Sequence, residues 1–503
     1  MMMKVRAAKR FTLLSAILFA CCTTALAMQG DPPYSVAHPQ ALAGLSVPQL
    51  VLKPVDQAGL LASDARQLGA SGENAEKRLR VATPNRVDAD TDHAGVWVPL
   101  ADGGRLWRLQ LHADGATDLR LGFDRFDVPA GVTLHLIAPS TSAYEGPFTS
   151  SDASPDHQLW LAPFAGDTLV LELHVPPGVQ LTPHAVHLSS AGTGYRNTTG
   201  AGGFTLFGAG ASGTCNIDVV CPLGNPYPFE ISAVAKFYFD TTEGSFLCTG
   251  TLMNDIAQDF KPYFLTADHC INTQAEATSM SLIWNYESPT CGAHGGGSTA
   301  DTQNGGATLV AHRADVDFSL VRLNSMPSSA FNVAYAGWDA NGTATAGSIG
   351  IHHPSGWVKA ITQNTHTLTT INNCIGTGGG STATHWKTGP YAQGTTEGGS
   401  SGSALLIPSN APGGGGGRVI GMLSGGGAAC SGSVPNTLTD CYGKFSVAFD
   451  GSSASQRLSD WLAATSDTIF RNGFEGATAA TTAEPASVRS VPSVVRPASD
   501  AGK

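Results

Sequence analysis

Residues 397–404 read EGGSSGSA, a stretch in which glycines surround three serine hydroxyls. By its composition alone this stretch is typical of a flexible loop. Two further motifs change that interpretation, because His269 closes the apolar β-type run of FLTADHC (264–270) and Asp317 opens DFSLVRLN (317–324). The motifs occur in the order His, Asp, Ser, which is one of the chain orders that a nucleophilic triad takes. The three motifs together therefore predict nucleophilic catalysis.

Each residue type in this set has a chemical reason to be there. A serine hydroxyl is a weak nucleophile and needs a base within hydrogen-bond reach. Histidine suits that task because it changes charge near neutral pH, and an aspartate fixes its tautomer. Asp317 is preferred to Asp315 because it directly precedes the apolar run FSLV. A hydrolase elbow of the form G-x-S-x-G is excluded, because Ser403 stands where the last glycine would be.

The N-terminus has the pattern of an export signal. Basic residues within positions 4–10 precede the apolar run 11–22, and small residues follow at Ala25 and Ala27. This pattern predicts a secretory signal peptide over residues 1–27, and hence a secreted, extracellular protein. An alternative is a lipoprotein signal with lipidated Cys21, which Phe19 fits poorly. No later stretch is long and apolar enough to predict a transmembrane segment.

Export changes the meaning of the remaining cysteines. An even count in an exported chain predicts disulfides, here four of them. No pair has the C-x-x-C spacing that zinc sites favour, so we expect no metal site. The eight cysteines that follow the signal peptide are Cys215, Cys221, Cys248, Cys270, Cys291, Cys374, Cys430 and Cys441.

The pattern along the chain predicts two β-rich regions. Short alternating segments separated by Gly, Pro and Asp between residues 94 and 188 predict a small antiparallel sandwich, and the Gly-rich region after Cys215 is again strand-like. Around them we predict helices within 60–82 and 453–464, an exposed linker at 189–214 and a disordered tail. The predicted division is a signal peptide (1–27), a β-rich propeptide (28–209), a protease domain (210–470) and the tail (471–503).

Charge excludes one class of partner. The 503-residue chain has a formal net charge of -11 and contains no block of basic residues. Nucleic-acid binding requires such positive charge to neutralise phosphates, so no nucleic-acid partner is expected.

The second region resembles the chymotrypsin-like serine proteases, and most closely the bacterial lysyl endopeptidases. Several motifs in order carry this resemblance: SGTCNIDVVCP (212–222), CTGTL (248–252), IHHPSG (351–356) and DCYGKF (440–445), besides the three motifs above. The resemblance implies an all-β fold, a double β-barrel ending in a helix, and a secreted serine endopeptidase that needs no cofactor. It implies polypeptide substrates and a monomer.

The resemblance also implies roles for individual residues. His269 would be the general base, Asp317 the acid that orients it and Ser401 the nucleophile. The backbone N–H groups of Gly399 and Ser401 would form the oxyanion hole. Asp440 would bind the basic side chain of the substrate.

A strand edge and the substrate preference follow from the same resemblance. Leu423, Ser424 and Gly425 would pair with the substrate backbone. Ser424 stands where well-known lysyl endopeptidases have a histidine, and no tryptophan matches theirs near Cys374. Cleavage after lysine and cleavage after arginine therefore both remain open.

The resemblance implies the disulfides Cys215–Cys430, Cys221–Cys291 and Cys248–Cys270, which leaves Cys374 and Cys441 as a fourth pair. It aligns Gly210 with the mature N-terminus, although Ala209 rather than a lysine precedes it and the nearest upstream basic residue is Arg196.

Residues 28–209 would then be a propeptide that aids folding and blocks the site. Two alternatives from other classes are a catalytically inactive binding protein on the protease fold, and a retained carbohydrate- or surface-binding module at residues 28–209.

Overall fold

The computed structural model is built mainly of β-strands. It describes residues 30–71, 75–199, 212–372, 375, 383–411, 415–464 and 488–496. We call residues 30–199 the N-terminal domain and residues 212–464 the C-terminal domain. Within the described residues, no helix combines the length and the apolar character needed to cross a membrane.

The N-terminal domain is the predicted sandwich. Alternating side chains such as Leu121, Phe123, Leu134 and Leu171 are fully buried between its two sheets. The strands of one sheet are Gln49–Val51, Val96–Pro99, Arg105–His112, Thr133–Ile137, Tyr144–Phe148 and Thr168–Val175. The strands of the other are Leu79–Asp90, Asp118–Phe126, Leu159–Trp160, Phe164–Ala165 and Val186–Gly194.

The first half of the C-terminal domain forms the first barrel, whose six strands are hydrogen-bonded in one continuous order. Its strands are Val234–Thr241, Gly244–Met253, Tyr263–Thr266, Ser281–Trp284, Ala307–Arg313 and Phe318–Leu323, with the short Thr302–Gln303 at one edge. Strand Leu79–Asp90 of the N-terminal domain pairs antiparallel with strand Gly244–Met253, so one sheet runs through both domains.

A second barrel follows. Its strands are Ser348–His352, Ala360–Asn364, Thr369–Ile371, His385–Lys387, Tyr391–Gln393, Ala404–Leu406, Val419–Gly426 and Asp440–Lys444, joined by Ile217–Asp218 and Trp338–Asp339. The remaining short strands are Ala334–Tyr335, Cys430–Ser431, Val434–Pro435, Ser490–Val491 and Val494–Val495. A shared core lies between the barrels, where Trp338 stacks on Phe445 with ring centres 5.4 Å apart.

Helices are short and few in the part of the chain that the structure describes. The α-helices are Tyr34–Ala37, Gln57–Ser71, Pro228–Ala233, Gln274–Thr278, Phe445–Phe449 and Ser459–Leu462. The 3₁₀ turns are Pro39–Leu42, Ser150–Asp152, Pro222–Gly224, Ser329–Phe331, Pro354–Gly356 and Ala454–Gln456.

The helix predicted within 60–82 is present as Gln57–Ser71, whereas the predicted C-terminal helix is shorter than expected. The helix predicted within 60–82 ends at Ser71, because the chain from Leu79 onward pairs as a strand. The C-terminal helix is one turn, Ser459–Leu462, which buries Leu458 and Leu462 in the core.

The linker predicted at 189–214 is wrong in its first part. Val186–Gly194 is a central strand that pairs with both Leu79–Asp90 and Asp118–Phe126. Its small residues are needed for packing, since a Cβ at Gly192 would lie 2.7 Å from the Ser245 hydroxyl oxygen. Residues 200–211 lie outside the described residues.

The prediction of a disordered tail is wrong for residues 488–496. Ser490–Val491 pairs with Trp338–Asp339, and Val494–Val495 pairs with Ala334–Tyr335. Val491 is buried in the core between the barrels, where it packs as an apolar strand residue. Short apolar pairs such as these give no clear periodicity in a sequence rich in Ala, Thr, Pro and Ser.

We expect this tail strand to contribute to stability. Val491 is 3% exposed and Val495 is 37% exposed, so they form a matched pair. Val491→Ala should lower the free energy of unfolding by about 1–3 kcal/mol, because it leaves a cavity in the core. Val495→Ala should change it by less than about 0.5 kcal/mol. Urea unfolding followed by circular dichroism measures both values, and equal effects would contradict the assignment.

Candidate active site

His269, Asp317 and Ser401 lie together at the junction of the two barrels. The Nε2 atom of His269 is 2.7 Å from Ser401 Oγ, and its Nδ1 atom is 2.9 Å from Asp317 Oδ2. The backbone N–H of His269 also donates to Asp317 Oδ1 at 3.0 Å. This geometry allows the imidazole to take the serine proton while the carboxylate fixes its orientation.

Local structure holds each of these residues in place. His269 follows strand Tyr263–Thr266 and adjoins the Cys248–Cys270 disulfide. Asp317 has a positive φ of 56° directly before strand Phe318–Leu323, which turns its carboxylate back to the histidine. Strained backbone of this kind is tolerated where the surroundings fix it.

The electrostatics favour a charged pair at this site. Burial raises the pKa of Asp317, but the charge and hydrogen bonds of His269 outweigh it, so its pKa lies below the ordinary value. Burial lowers the pKa of His269, but the Asp317 carboxylate outweighs that effect and leaves its pKa above the ordinary value. The aspartate therefore stabilises the imidazolium that forms when the histidine takes a proton.

Two side chains support Asp317 from behind. The hydroxyl of Ser424 lies 3.1 Å from His385 Nε2, and it helps to hold the pKa of Asp317 below its ordinary value. Burial lowers the pKa of His385 to about 4, so this imidazole is neutral at neutral pH. Ser424 was predicted only as part of the strand that pairs with substrate, and His385 was not predicted, because the sequence around it has no motif that marks a contact.

The serines of the opening stretch have different surroundings. The Ser400 hydroxyl is buried and hydrogen-bonds to His352 Nδ1 at 2.8 Å and to the backbone N–H of Glu397. Ser403 precedes strand Ala404–Leu406, and its backbone carbonyl accepts from Leu423 N–H. Of these three serine hydroxyls, only that of Ser401 lies beside His269.

The chain's own residues Ala75–Leu79, which we call the docked segment, cover this site. The carbonyl oxygen of Lys77 accepts from the backbone N–H of Gly399 at 2.5 Å and from that of Ser401 at 3.4 Å. Gly399 has a φ of 93°, a conformation that favours glycine and turns its N–H toward this oxygen. These are the two groups predicted to form the oxyanion hole.

The docked segment pairs with only part of the strand edge that was predicted to bind substrate. Glu76 pairs antiparallel with Gly425, and the N–H of Gly426 donates to the Ala75 carbonyl at 3.0 Å. A side chain at residue 425 would collide with the docked segment, since its Cβ would lie 2.1 Å from the Ala75 carbonyl oxygen. Leu423 instead packs in the core and accepts from Gly402 N–H, and Gly426 was not predicted.

Asp440 lies at the base of a pocket that holds the side chain of Lys77. The Lys77 ammonium is 2.7 Å from Asp440 Oδ1 and 2.8 Å from the Ala428 carbonyl oxygen, and it also donates to the Thr396 hydroxyl. Asp440 in turn accepts from Thr396 Oγ1 and from Tyr391 at 3.0 Å. The sequence predicted Asp440 alone, because Tyr391 lies in a short strand and Thr396 and Ala428 lie in loops, none of them within a recognisable pattern.

Disulfides link the elements around the site. The structure contains Cys215–Cys430, Cys221–Cys291 and Cys248–Cys270, which are the three pairs that the resemblance implies. Cys441 is also disulfide-bonded, and Cys374, its expected partner, lies outside the described residues.

One cluster of metal-ligand types lies away from the site. Asp90, His93 and His184 have ligand atoms within 4.8 Å of one another on the N-terminal domain. The Asp90 carboxylate already accepts from the backbone N–H groups of Asp92 and His93, so these contacts close a turn of the chain.

Comparison with known proteins identifies the family of this chain. Residues 209–443 match the family model of the lysyl endopeptidase C-terminal domain, and residues 51–190 match that of the lysyl endopeptidase N-terminal domain. A lysyl endopeptidase from Pseudomonas aeruginosa is 33% identical over 342 residues, which is 65% of this chain and 70% of that protein. The chain belongs to the lysyl endopeptidase family.

Solved structures add little to this assignment. The thermostable serine protease AL20 from an extremophilic microorganism is 16% identical with a TM-score of 0.28, over 42% of this chain and 91% of that one. The protease Anisep from Arthrobacter nicotinovorans is 15% identical with a TM-score of 0.30, over 43% and 92%. Family membership and the barrels described above identify a serine endopeptidase with the chymotrypsin-like double-barrel fold, preceded by a β-rich N-terminal domain.

The charge coupling between His269 and Asp317 gives a direct prediction. Asp317→Asn should lower the pKa of His269, because it removes the carboxylate that stabilises the imidazolium. Asp315→Asn is the matched control, since Asp315 is paired with Arg313 and half-exposed. NMR titration of selectively labelled histidines measures the shift. An equal fall in both variants would contradict the assignment of Asp317 as the partner of His269.

Proposed function

We propose that this protein is a secreted endopeptidase that cuts polypeptides after lysine, with arginine as a poorer alternative. The observation that carries this proposal is the buried Asp440 carboxylate, which meets a lysine ammonium while the carbonyl of the same lysine lies beside Ser401. An acid in an otherwise closed pocket strongly favours a cation, because an unpaired buried charge is costly.

The shape of the polar lining supports lysine over arginine. An ammonium has three N–H donors on one atom, and here it has acceptors on Asp440, Ala428 and Thr396. A guanidinium is a longer, planar fork that requires a different placement of acceptors. Lysine therefore fills the pocket with direct contacts, and the Ser424 position contributes through Asp317 rather than through the lysine side chain.

The proposed reaction uses the triad and the oxyanion hole. Ser401 Oγ attacks the lysine carbonyl carbon while His269 takes the hydroxyl proton, and Asp317 stabilises the resulting imidazolium. The N–H groups of Gly399 and Ser401 stabilise the negative charge on the carbonyl oxygen. His269 then passes its proton to the leaving amine. Water hydrolyses the acyl group from Ser401 and releases a new carboxyl terminus.

Export and maturation complete the proposal. Residues 1–27 serve as the signal peptide, 28–209 as a propeptide that aids folding and inhibits, 210–470 as the protease domain and 471–503 as a tail. Disulfides support an oxidising, extracellular location. All the catalytic groups belong to one chain, which supports a monomer.

Digestion of a denatured protein mixture tests the reaction and its specificity together. The new C-termini, identified by mass spectrometry, should be mostly lysine with a minority of arginine. Ser401→Ala protein, prepared in the same way, is the control and should produce none of them. C-termini without any preference for basic residues would refute the proposed specificity.

The role of Asp440 is tested separately. Asp440→Asn should lower kcat/KM for lysine peptides by about 10²–10⁴-fold, because it leaves the substrate ammonium buried without its counter-charge. Labelling of Ser401 by a small sulfonyl fluoride should continue, since that reagent does not use the pocket charge. A variant that keeps its kcat/KM for lysine peptides would exclude Asp440 from substrate binding.

A further inference from the structure

We propose that the docked segment Ala75–Leu79 is an internal substrate that closes the active site of the precursor, and that Lys77–Arg78 is the first bond the enzyme cuts in its own chain. This inference rests on the proposed function, because it assigns Lys77 to the pocket that selects lysine.

The side chain of Lys77 is held as a substrate lysine would be. It is 5% exposed although it carries a charge, and Asp440, Thr396 and Ala428 all contact its ammonium. A buried charge of this kind is stable only when its partners satisfy it. The pocket is therefore filled by the precursor itself, and an incoming substrate must displace Lys77.

The backbone on both sides of the Lys77 carbonyl is fixed in register. Before it, Ala75 and Glu76 pair with the strand edge at Gly425 and Gly426. After it, Leu79 pairs with Leu247, and the Arg78 guanidinium lies 4.8 Å from the centre of the Phe246 ring. An extended segment paired on both sides of a carbonyl in the oxyanion hole has the geometry of a bound substrate.

Contacts outside the site hold the N-terminal domain in this position. Arg120 of that domain is fully buried and donates to the Asp240 carboxylate and to the Ser279 carbonyl. The Lys236 ammonium donates to the Thr198 carbonyl at 2.6 Å. Because all the cysteines after residue 27 lie at or beyond Cys215, no disulfide joins the two domains, and apart from the peptide chain itself only non-covalent contacts hold them together.

The other basic residue considered for self-cleavage is not presented to the site. Arg196 is paired with Asp64 at 2.8 Å, and its Nε donates to the Arg80 carbonyl. These contacts keep Arg196 within the N-terminal domain. Its cleavage requires that domain to open first, which places it after the cut at Lys77.

The step itself is the reaction proposed above applied within one molecule. Ser401 Oγ forms a bond to the Lys77 carbonyl carbon, the bond to the Arg78 nitrogen breaks, and His269 transfers the serine proton to the new Arg78 amine. Water then releases the Lys77 carboxylate and restores Ser401. After the cut, residues 78–199 stay joined to the protease domain through the peptide chain. The piece that ends at Lys77 stays docked on them, because Gln49–Val51 pairs with Arg105–His112 and Asp64 pairs with Arg80 and Arg196.

The first experiment follows the full-length protein after purification. Intact mass spectrometry of the wild type should show a fragment ending at Lys77 and one starting at Arg78, before any cut near residue 196 or 210. The rate constant of cleavage at Lys77–Arg78 should not change when the protein is diluted, because the reaction is intramolecular. Ser401→Ala protein should stay whole. If the wild type digests denatured proteins after lysine but never cuts at Lys77–Arg78, the inference fails and the proposed function stands.

The second experiment measures whether Lys77 fills the pocket. In full-length Ser401→Ala protein, Lys77→Gln should lower the Kd of a short fluorescein-labelled lysine peptide at least about tenfold, because the chain's own lysine no longer occupies the pocket. Lys53→Gln is the matched control, since Lys53 is an exposed lysine of the same domain. Circular dichroism confirms folding. Equal Kd values in the two folded variants would overturn the inference, whereas a wild type that neither digests proteins nor reacts with sulfonyl fluoride would refute the proposed function instead.

Discussion

The buried charge of Asp440 is the constraint on which the arrangement of the cleft depends. A carboxylate in a closed pocket has lost its water and needs a cation with hydrogen-bond donors. Thr396, Tyr391 and the Ala428 backbone satisfy part of this requirement, and the Lys77 ammonium satisfies the rest. The position of the lysine side chain then fixes its carbonyl oxygen beside the N–H groups of Gly399 and Ser401, and with it the register of the strands on either side.

The triad depends on the fold in a different way. His269, Asp317 and Ser401 come from three separate turns, and each turn is anchored by a strand of one of the barrels. Their mutual distances therefore follow from how the barrels pack, through the core around Trp338. The Ser424 hydroxyl and His385 extend the same hydrogen-bonded line into the second barrel.

Much of the site could be predicted from the sequence because each key residue lies in a short motif. His269, Asp317, Ser401 and Asp440 stand in local patterns that specify strand ends and turns. Their supporting contacts could not be predicted, because Tyr391, Thr396 and His385 reach the site through tertiary packing alone. The position of Lys77 in the site could not be predicted for another reason. The residues around it favour a helix, and only their pairing with the barrel makes this segment extended.

The fold likewise contains elements that the sequence predicts and elements that it does not. Clear alternation of apolar residues predicted the sandwich, whereas Ser- and Gly-rich composition concealed the central strand Val186–Gly194. That strand is stabilised by neighbours on both sides and not by its own propensity. The tail strands at Val491 and Val495 were missed for a similar reason, because two-residue pairs are too short to show a period.

The sheet that runs through both domains has a consequence for the proposed maturation. Removal of the N-terminal domain, as proposed above, would open the edge of strand Gly244–Met253 that Leu79–Asp90 covers, and also the edge at Gly425 and Gly426. Under the proposed function, a polypeptide would have to extend along both edges to bring its lysine into the pocket. Such a cleft would discriminate by conformation as well as by side chain, and compact proteins would become substrates mainly where a lysine lies in a segment that can unfold locally.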